Sequence, residues 1–218
     1  MITLAVDTST QYAGVGVSVG NEIVGEQCWR SNRNHGSELL PVASHLLKLS
    51  HLAMQDVTHL AVAKGPGGFS ALRVGIGTVK GLALPHSLPV AGVSTLELEA
   101  APFTNLLETL YAVLPVGRGE VAWALYSQGN LKETGLDSPL TLLNKAPKGS
   151  HFCGEAAETI AEINGGKMIV GGPPPTRRPS WLLRLAFERF ARGEEDPLDE
   201  LEPIYARAPS ISKPRSPR

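Results

Sequence analysis

The chain has 218 residues, which at roughly 100 to 200 residues per domain allows one large globular unit or two small lobes. Its composition, 42% hydrophobic and 19% charged with 20 Lys and Arg against 21 Asp and Glu, excludes both a strongly basic nucleic-acid binder and an acidic disordered chain. With 23 glycines and only 6% aromatic residues, it is suited to tight turns and close backbone packing rather than to a base-stacking platform.

Ile2 to Asp7 reads as an apolar strand ending on a carboxylate, and Tyr12 to Val19 as a strand alternating Gly or Ser with valine. Gly20-Asn21 supplies a hairpin turn into a third strand, Glu22 to Trp29. After a polar loop, Ser37 is expected to cap a helix running to about Met54, with Pro41 in its first turn. A strand at His59 to Lys64 closes on Gly65-Pro66-Gly67-Gly68, a helix runs from about Ser70 to Leu84 before Pro85, and Pro89 to Val93 is again a strand. This order matches a ribonuclease-H-like unit, an antiparallel meander extended by parallel crossovers.

The second half repeats the pattern faintly. Thr109 to Val116 and Val121 to Ser127 pair around Gly117-Arg118-Gly119, and Glu155 to Ile163 is a helix ended by Asn164-Gly165. Lys167 to Val170 is a short strand, Gly171 to Pro175 is irregular, and Ser180 to Arg192 returns to helix. The expected class is α/β, with the actin-like ATPase (ASKHA) architecture of two ribonuclease-H-like lobes, the second degenerate. The expected divisions are 1–103, 104–202 and a Pro-rich basic tail at 203–218, with a hinge near 100–108. A single larger mixed domain is the alternative. The chain runs straight into its first strand, and no uncharged apolar stretch reaches the roughly 18 residues that span a bilayer, so a cytoplasmic protein with no membrane contact is expected.

Catalytic groups are scarce. No two of the six histidines stand at HxxxH or HxH spacing, so no helical metal pair is encoded, and a metallopeptidase, which needs a multiply ligated metal, has no support. Gly-x-Ser-x-Gly is absent, and Cys28 and Cys153 form no CxxC. The glycine-rich run Gly65 to Gly75 enters a helix and so could attract an anion, yet it lacks GxxxxGK[ST] and the third glycine of the dinucleotide fingerprint. Asp7 could hold a hydrated metal or cap the turn through Thr8 to Thr10. Arg207, Lys213, Arg215 and Arg218 in the acid-free tail could meet phosphate or form a solvated end.

Two helices carry surplus apolar surface. Around residues 71–83 the only charges, Arg73 and Lys80, share one side, while Ala71, Gly75, Gly77, Thr78 and Gly81 are small residues at spacings of three and four. In the preceding helix Leu39, Val42, Ala43, Leu46 and Ala53 make a core stripe, and Leu40, Leu47 and Met54 widen it to about half the circumference, against the ~100° a helix on one sheet needs. The surplus predicts a protein–protein face of about 800 Å² per partner. Wholly internal packing is the alternative.

Several runs resemble the TsaB family, also called YeaZ: Ala5-Val6-Asp7-Thr8-Ser9-Thr10, His35-x-Ser37-Glu38-x-Leu40-Pro41, Gly65-Pro66-Gly67-Gly68-Phe69-Ser70-Ala71-Leu72-Arg73-Val74-Gly75, Lys80-Gly81-Leu82-Ala83 and Val93-Ser94-Thr95-Leu96. The resemblance is dense over about the first 100 residues. Gly119-Glu120-Val121 and Pro203-Ile204-Tyr205-Ala206-Arg207 extend it weakly.

It implies a non-catalytic subunit, without cofactor, of the machinery that makes threonylcarbamoyladenosine (t6A) in tRNA. Such a subunit pairs with the catalytic paralogue TsaD through the first two helices. The ATPase TsaE joins the pair, and tRNA is met indirectly or weakly; because a contiguous apolar face rarely stays exposed, a homodimer through the same face is expected in isolation. The interface then falls on Leu40, Leu47, Met54, Ala71, Arg73, Gly75, Thr78 and Lys80, beside a family loop of Asp7, Gly65, Pro66, Gly67 and Phe69.

Two departures stand out. Pro115 to Ala122 lacks the Asp, one Arg and the aromatic of the family's DARRGEVY-like run, and Ser70-Ala71 replaces Thr-Gly. The rival reading is a kinase-like nucleotide-binding enzyme of the same fold. Against it, Ser9 stands where a first-turn glycine is wanted, and Gly171-Gly172 runs into three prolines.

Overall fold

The computed structural model describes residues 1–165 and 169–207. Two mixed sheets form its frame. The first has the order β3-β2-β1-β4-β5, built from β1 (Ile2–Asp7), β2 (Tyr12–Val19), β3 (Glu22–Arg30), β4 (His59–Gly65) and β5 (Val90–Ser94). The β1–β2 and β2–β3 pairs are antiparallel, and β1–β4 and β4–β5 are parallel.

Residue alternation decides which helix covers which face. Leu4, Val6, Leu60 and Val62 point to one side, where α1 (His35–Leu49) and α2 (Phe69–Ala83) pack Leu39, Ala43, Leu46, Leu47, Ile76 and Val79 against them. Ala5, Ala61, Ala63 and Ala91 point to the other, against Leu182, Leu183 and Ala186 of α6 (Pro179–Ala191). Small side chains bring α6 close to the sheet. A Cβ on Gly14 would lie 2.8 Å from Pro179, and one on Gly16 would lie 2.9 Å from both Pro179 and Leu183.

The second sheet has the order β8-β7-β6-β9, from β6 (Thr109–Pro115), β7 (Val121–Ser127), β8 (Asn130–Asp137) and β9 (His151–Cys153). Leu110, Ala112, Leu114, Ala122 and Ala124 pack on Leu96 and Ala100 of α3 (Thr95–Ala100). Tyr111, Val113, Trp123 and Phe152 pack on Leu142 of α4 (Pro139–Lys145) and Ile160 of α5 (Ala157–Asn164). No helix among the described residues is long and apolar enough to cross a membrane.

Several expected boundaries move. α1 begins at His35 with Asn34 flanking it, so Pro41 sits in the helix interior; its missing N–H falls on a solvent-facing arc where Ser37 and Pro41 are both exposed. The helix stops at Leu49 because Ser50 bonds back to Leu46 and Leu47 and His51 takes a left-handed φ of 56°. Met54 therefore lies in a separate 3-10 turn, Met54–Asp56. Pro85 falls within a second such turn, Leu84–His86, that continues α2.

The packing also departs from the expected divisions at 104–202 and 203–218. α6 covers the first sheet rather than the second. Asp196 then bonds the β5 edge at Val90 and Gly92, Ile204 N–H donates to Lys64 O, and Arg207 pairs with Glu120. Of the expected strand at Lys167 to Val170, Ile169 makes an isolated bridge to Phe152; Lys167 lies outside the described residues, as do Lys213, Arg215 and Arg218 of the tail.

Candidate functional site

The eight residues expected to form an interface divide into two groups. Leu40 is 44% exposed, Arg73 is exposed, and Ala71, Thr78 and Lys80 are half-buried around α2. Leu47, by contrast, is 1% exposed and belongs to the lobe's own core. It lies near Leu40 on the helix wheel, but the chain turns back after His51 and lays Leu52 and Met54 against the same cluster. Gly75 is also buried, because a Cβ there would strike Thr8 Oγ1, the hydroxyl that donates to Ala71 O at 2.7 Å. Met54 is half-buried and lies off the helix.

What remains open on α2 is a solvent arc of Arg73, Gly77, Gly81 and, just beyond its end, Leu84, which is 72% exposed. Gly77 and Gly81 are one turn apart, and a Cβ on either would meet nothing within 4 Å. Neither glycine is needed by the chain's own packing. Each costs about 1 kcal/mol relative to alanine inside a helix, and the feature that repays glycine is the close approach of another backbone. At the other end of the arc, between the first turns of α1 and α2, an open cavity of about 600 Å³ is lined by Thr10, Arg33, His35, Ser70 and Val74.

The family loop is a joint within the chain. Gly65, at φ 107°, lies directly against the backbone of Ile204. Gly67 lies against Ser9 O, which also accepts from Gly68 N–H at 2.7 Å. Pro66 is buried between them. Phe69 stacks on Tyr205 at 4.9 Å between centroids, and Arg73 lies 4.0 Å over the Phe69 ring while its Nε donates to the Tyr205 hydroxyl. These glycines let three chain segments meet, which accounts for the motif without a bound phosphate.

Between the sheets lies a charged cluster that sequence spacing did not reveal. Asp7 caps its own turn, with Ser9 N–H and Oγ both donating to Oδ1. Its Oδ2 accepts from Arg177 Nε at 2.7 Å. Arg177 Nη1 donates at 2.7 Å to Glu99 on α3 and to Glu155 in the turn after β9, and Nη2 donates to Thr10 Oγ1 at 2.9 Å. Thr10 Oγ1 in turn donates to Glu155 at 2.6 Å, and Thr176 Oγ1 donates to Glu99 at 2.7 Å. All four charged side chains are buried.

Burial, only partly offset by Arg177 and Thr176, holds Glu99 above the ordinary carboxylate range. Burial works against the Arg177 charge as well, but the three carboxylates outweigh it and keep the guanidinium protonated beyond its usual range.

The sequence model of the family described as "TsaD: tRNA N6-adenosine threonylcarbamoyltransferase" matches residues 28–163, more than half of the chain. The tRNA threonylcarbamoyladenosine biosynthesis protein TsaB of Haemophilus influenzae is 34% identical over 94% of this chain and 92% of its own. The chain belongs to the TsaB family. TsaB of Escherichia coli is 29% identical over 95% of both chains, while the match to TsaB of Bacillus subtilis, 31% identical, spans 57% of that protein. YeaZ from Pseudomonas aeruginosa, at 25% identity, superposes with a TM-score of 0.79 over 94% of this chain and all of that one.

The actin-like class expected for a TsaB protein is seen more distantly. The activator of the 2-hydroxyisocaproyl-CoA dehydratase from Clostridium difficile, with bound ADPNP, shares the fold at a TM-score of 0.53 and 12% identity, covering 88% of this chain and 97% of its own.

Proposed function

We propose that this chain is a non-catalytic, cofactor-free cytoplasmic subunit of the tRNA t6A machinery that binds and activates TsaD through the solvent face of α1 and α2. The observation that carries the reading is the pair of exposed glycines, Gly77 and Gly81, on a helix that gains nothing from them internally. Leu40 on α1 and Leu84 just beyond the end of α2 add apolar contact. TsaE joins through the TsaB–TsaD pair, a second copy takes TsaD's place when the chain is alone, and tRNA is met mainly through the partner.

The kinase-like reading is opposed by the cleft. Its carboxylates already surround Arg177, so an incoming cation would have to displace a guanidinium held by four side chains. Thiol-based catalysis would also need an activated cysteine. The two thiols are pushed the other way, Cys28 by burial to about 11 and Cys153 further.

The deciding experiment is size-exclusion co-elution with TsaD, paired with threonylcarbamoylation of tRNA with and without this chain. Gly77→Glu is expected to abolish co-elution and the stimulation of t6A formation while leaving the circular dichroism spectrum unchanged. Undiminished co-elution would refute the interface. Leu47 and Gly75 are unsuited to this test, because a charge at either breaks the core first.

A further inference from the structure

We propose that Arg177 is a built-in latch that holds the two lobes in a single orientation without any ligand. A cleft lined by three carboxylates needs a counter-charge, and the chain supplies one from 170 residues downstream of Asp7. The partners come from different bodies. Asp7 and Thr10 end and follow β1 of the first sheet, Glu155 follows β9 of the second, and Glu99 sits on α3, which packs between them. One guanidinium, with Nε, Nη1 and Nη2 each engaged, therefore touches both sheets and the connecting helix at once.

The arrangement is over-determined in the way a latch requires. Thr10 Oγ1 accepts from Arg177 and donates to Glu155, so a second bond crosses the cleft beside the first. Glu99 is fixed from behind by Thr176 Oγ1, and Gly154 leaves no room for a side chain against Glu99 or Val113 O. A fork with three nitrogens in fixed geometry does what a lysine ammonium on a flexible stem does not: it sets angles as well as distances. Outside the cluster, the Arg207–Glu120 pair is a second tie between the lobes, and it lies at the more exposed rim.

The test uses the full chain. In Arg177→Met, which keeps bulk and removes the fork, hydrogen exchange at 7–10 and 153–156 should rise at least tenfold. The sheet cores at 60–62 and 111–113 should stay protected, and the radius of gyration from small-angle scattering should increase. Unchanged exchange and radius would overturn the latch, and so would exchange rising equally through both cores, which marks a loss of global stability alone. If Arg177→Met does not fold, Glu155→Gln and Thr10→Val decide instead. Each leaves Arg177 bound to Asp7 and Glu99, so each should loosen the same two segments, and wild-type exchange in both would overturn the proposal.

Discussion

Replacing Gly77 and Gly81 together by alanine should make the isolated chain more stable and its pairing weaker. Both residues have ordinary helical backbone, and a Cβ at either meets nothing within 4 Å. Alanine therefore adds no strain and recovers about 1 kcal/mol per site, or about 2 kcal/mol for the pair. For a chain of this size each kcal/mol moves the melting temperature by about 2–4 °C, so the double variant should melt about 4–8 °C higher. Two methyl groups driven into a close helix–helix contact cost about 1–3 kcal/mol, which is about 5-fold to 150-fold in affinity for TsaD.

Scanning calorimetry of the lone chain and titration calorimetry with the partner read the two effects separately. Gly75→Ala is the internal control, since its Cβ meets Thr8 Oγ1 and the melting temperature should fall. A double variant that melts higher yet binds TsaD undiminished would refute close backbone approach as the reason for the glycines. One that melts lower would show that the chain itself needs them.

Further outcomes follow from burial and charge. Leu47→Ala should cost about 2–5 kcal/mol in urea melts, as expected for a filled core position; a cost within experimental error would return Leu47 to the surface. Glu99 is held above its ordinary value of 4.5 by burial, so the folded state keeps more protons than the unfolded one, and stability is lost as pH rises from that value through the folded pKa. Glu99→Gln carries no charge to bury, and its melting temperature relative to wild type should climb as the pH rises above 4.5; parallel melting curves would refute the assignment. Tyr205→Ala should free Phe69 and Arg73, seen as faster exchange in the first turn of α2; an unchanged rate there would show that the stack holds nothing.

The first sheet was legible because its strands announce themselves: β1 and β4 are largely apolar, with Leu4 to Val6 and Leu60 to Ala63 as continuous runs, as strands covered on both faces tend to be. Periodicity could not find β8, a polar and largely exposed edge strand, or the three-residue β9. A helical wheel sees only its own helix and so puts Leu47 beside Leu40, whereas its cover comes from residues after His51. Arg177 was invisible for a related reason. Nothing next to it in sequence marks a buried charge, and its three carboxylates stand 170, 78 and 22 positions away. The exposed glycines were readable as small residues, but only the solvent arc separated Gly77 and Gly81 from Gly75.

The alanine face of the first sheet has a consequence for biosynthesis. Its lid is encoded at 179–191, so a nascent chain reaches that point with one side of its oldest sheet still bare. Alanine and glycine present less grease than leucine would, which tempers the hazard of clumping during the wait. Translation must run past Ala191 before the N-terminal half of this molecule can finish folding.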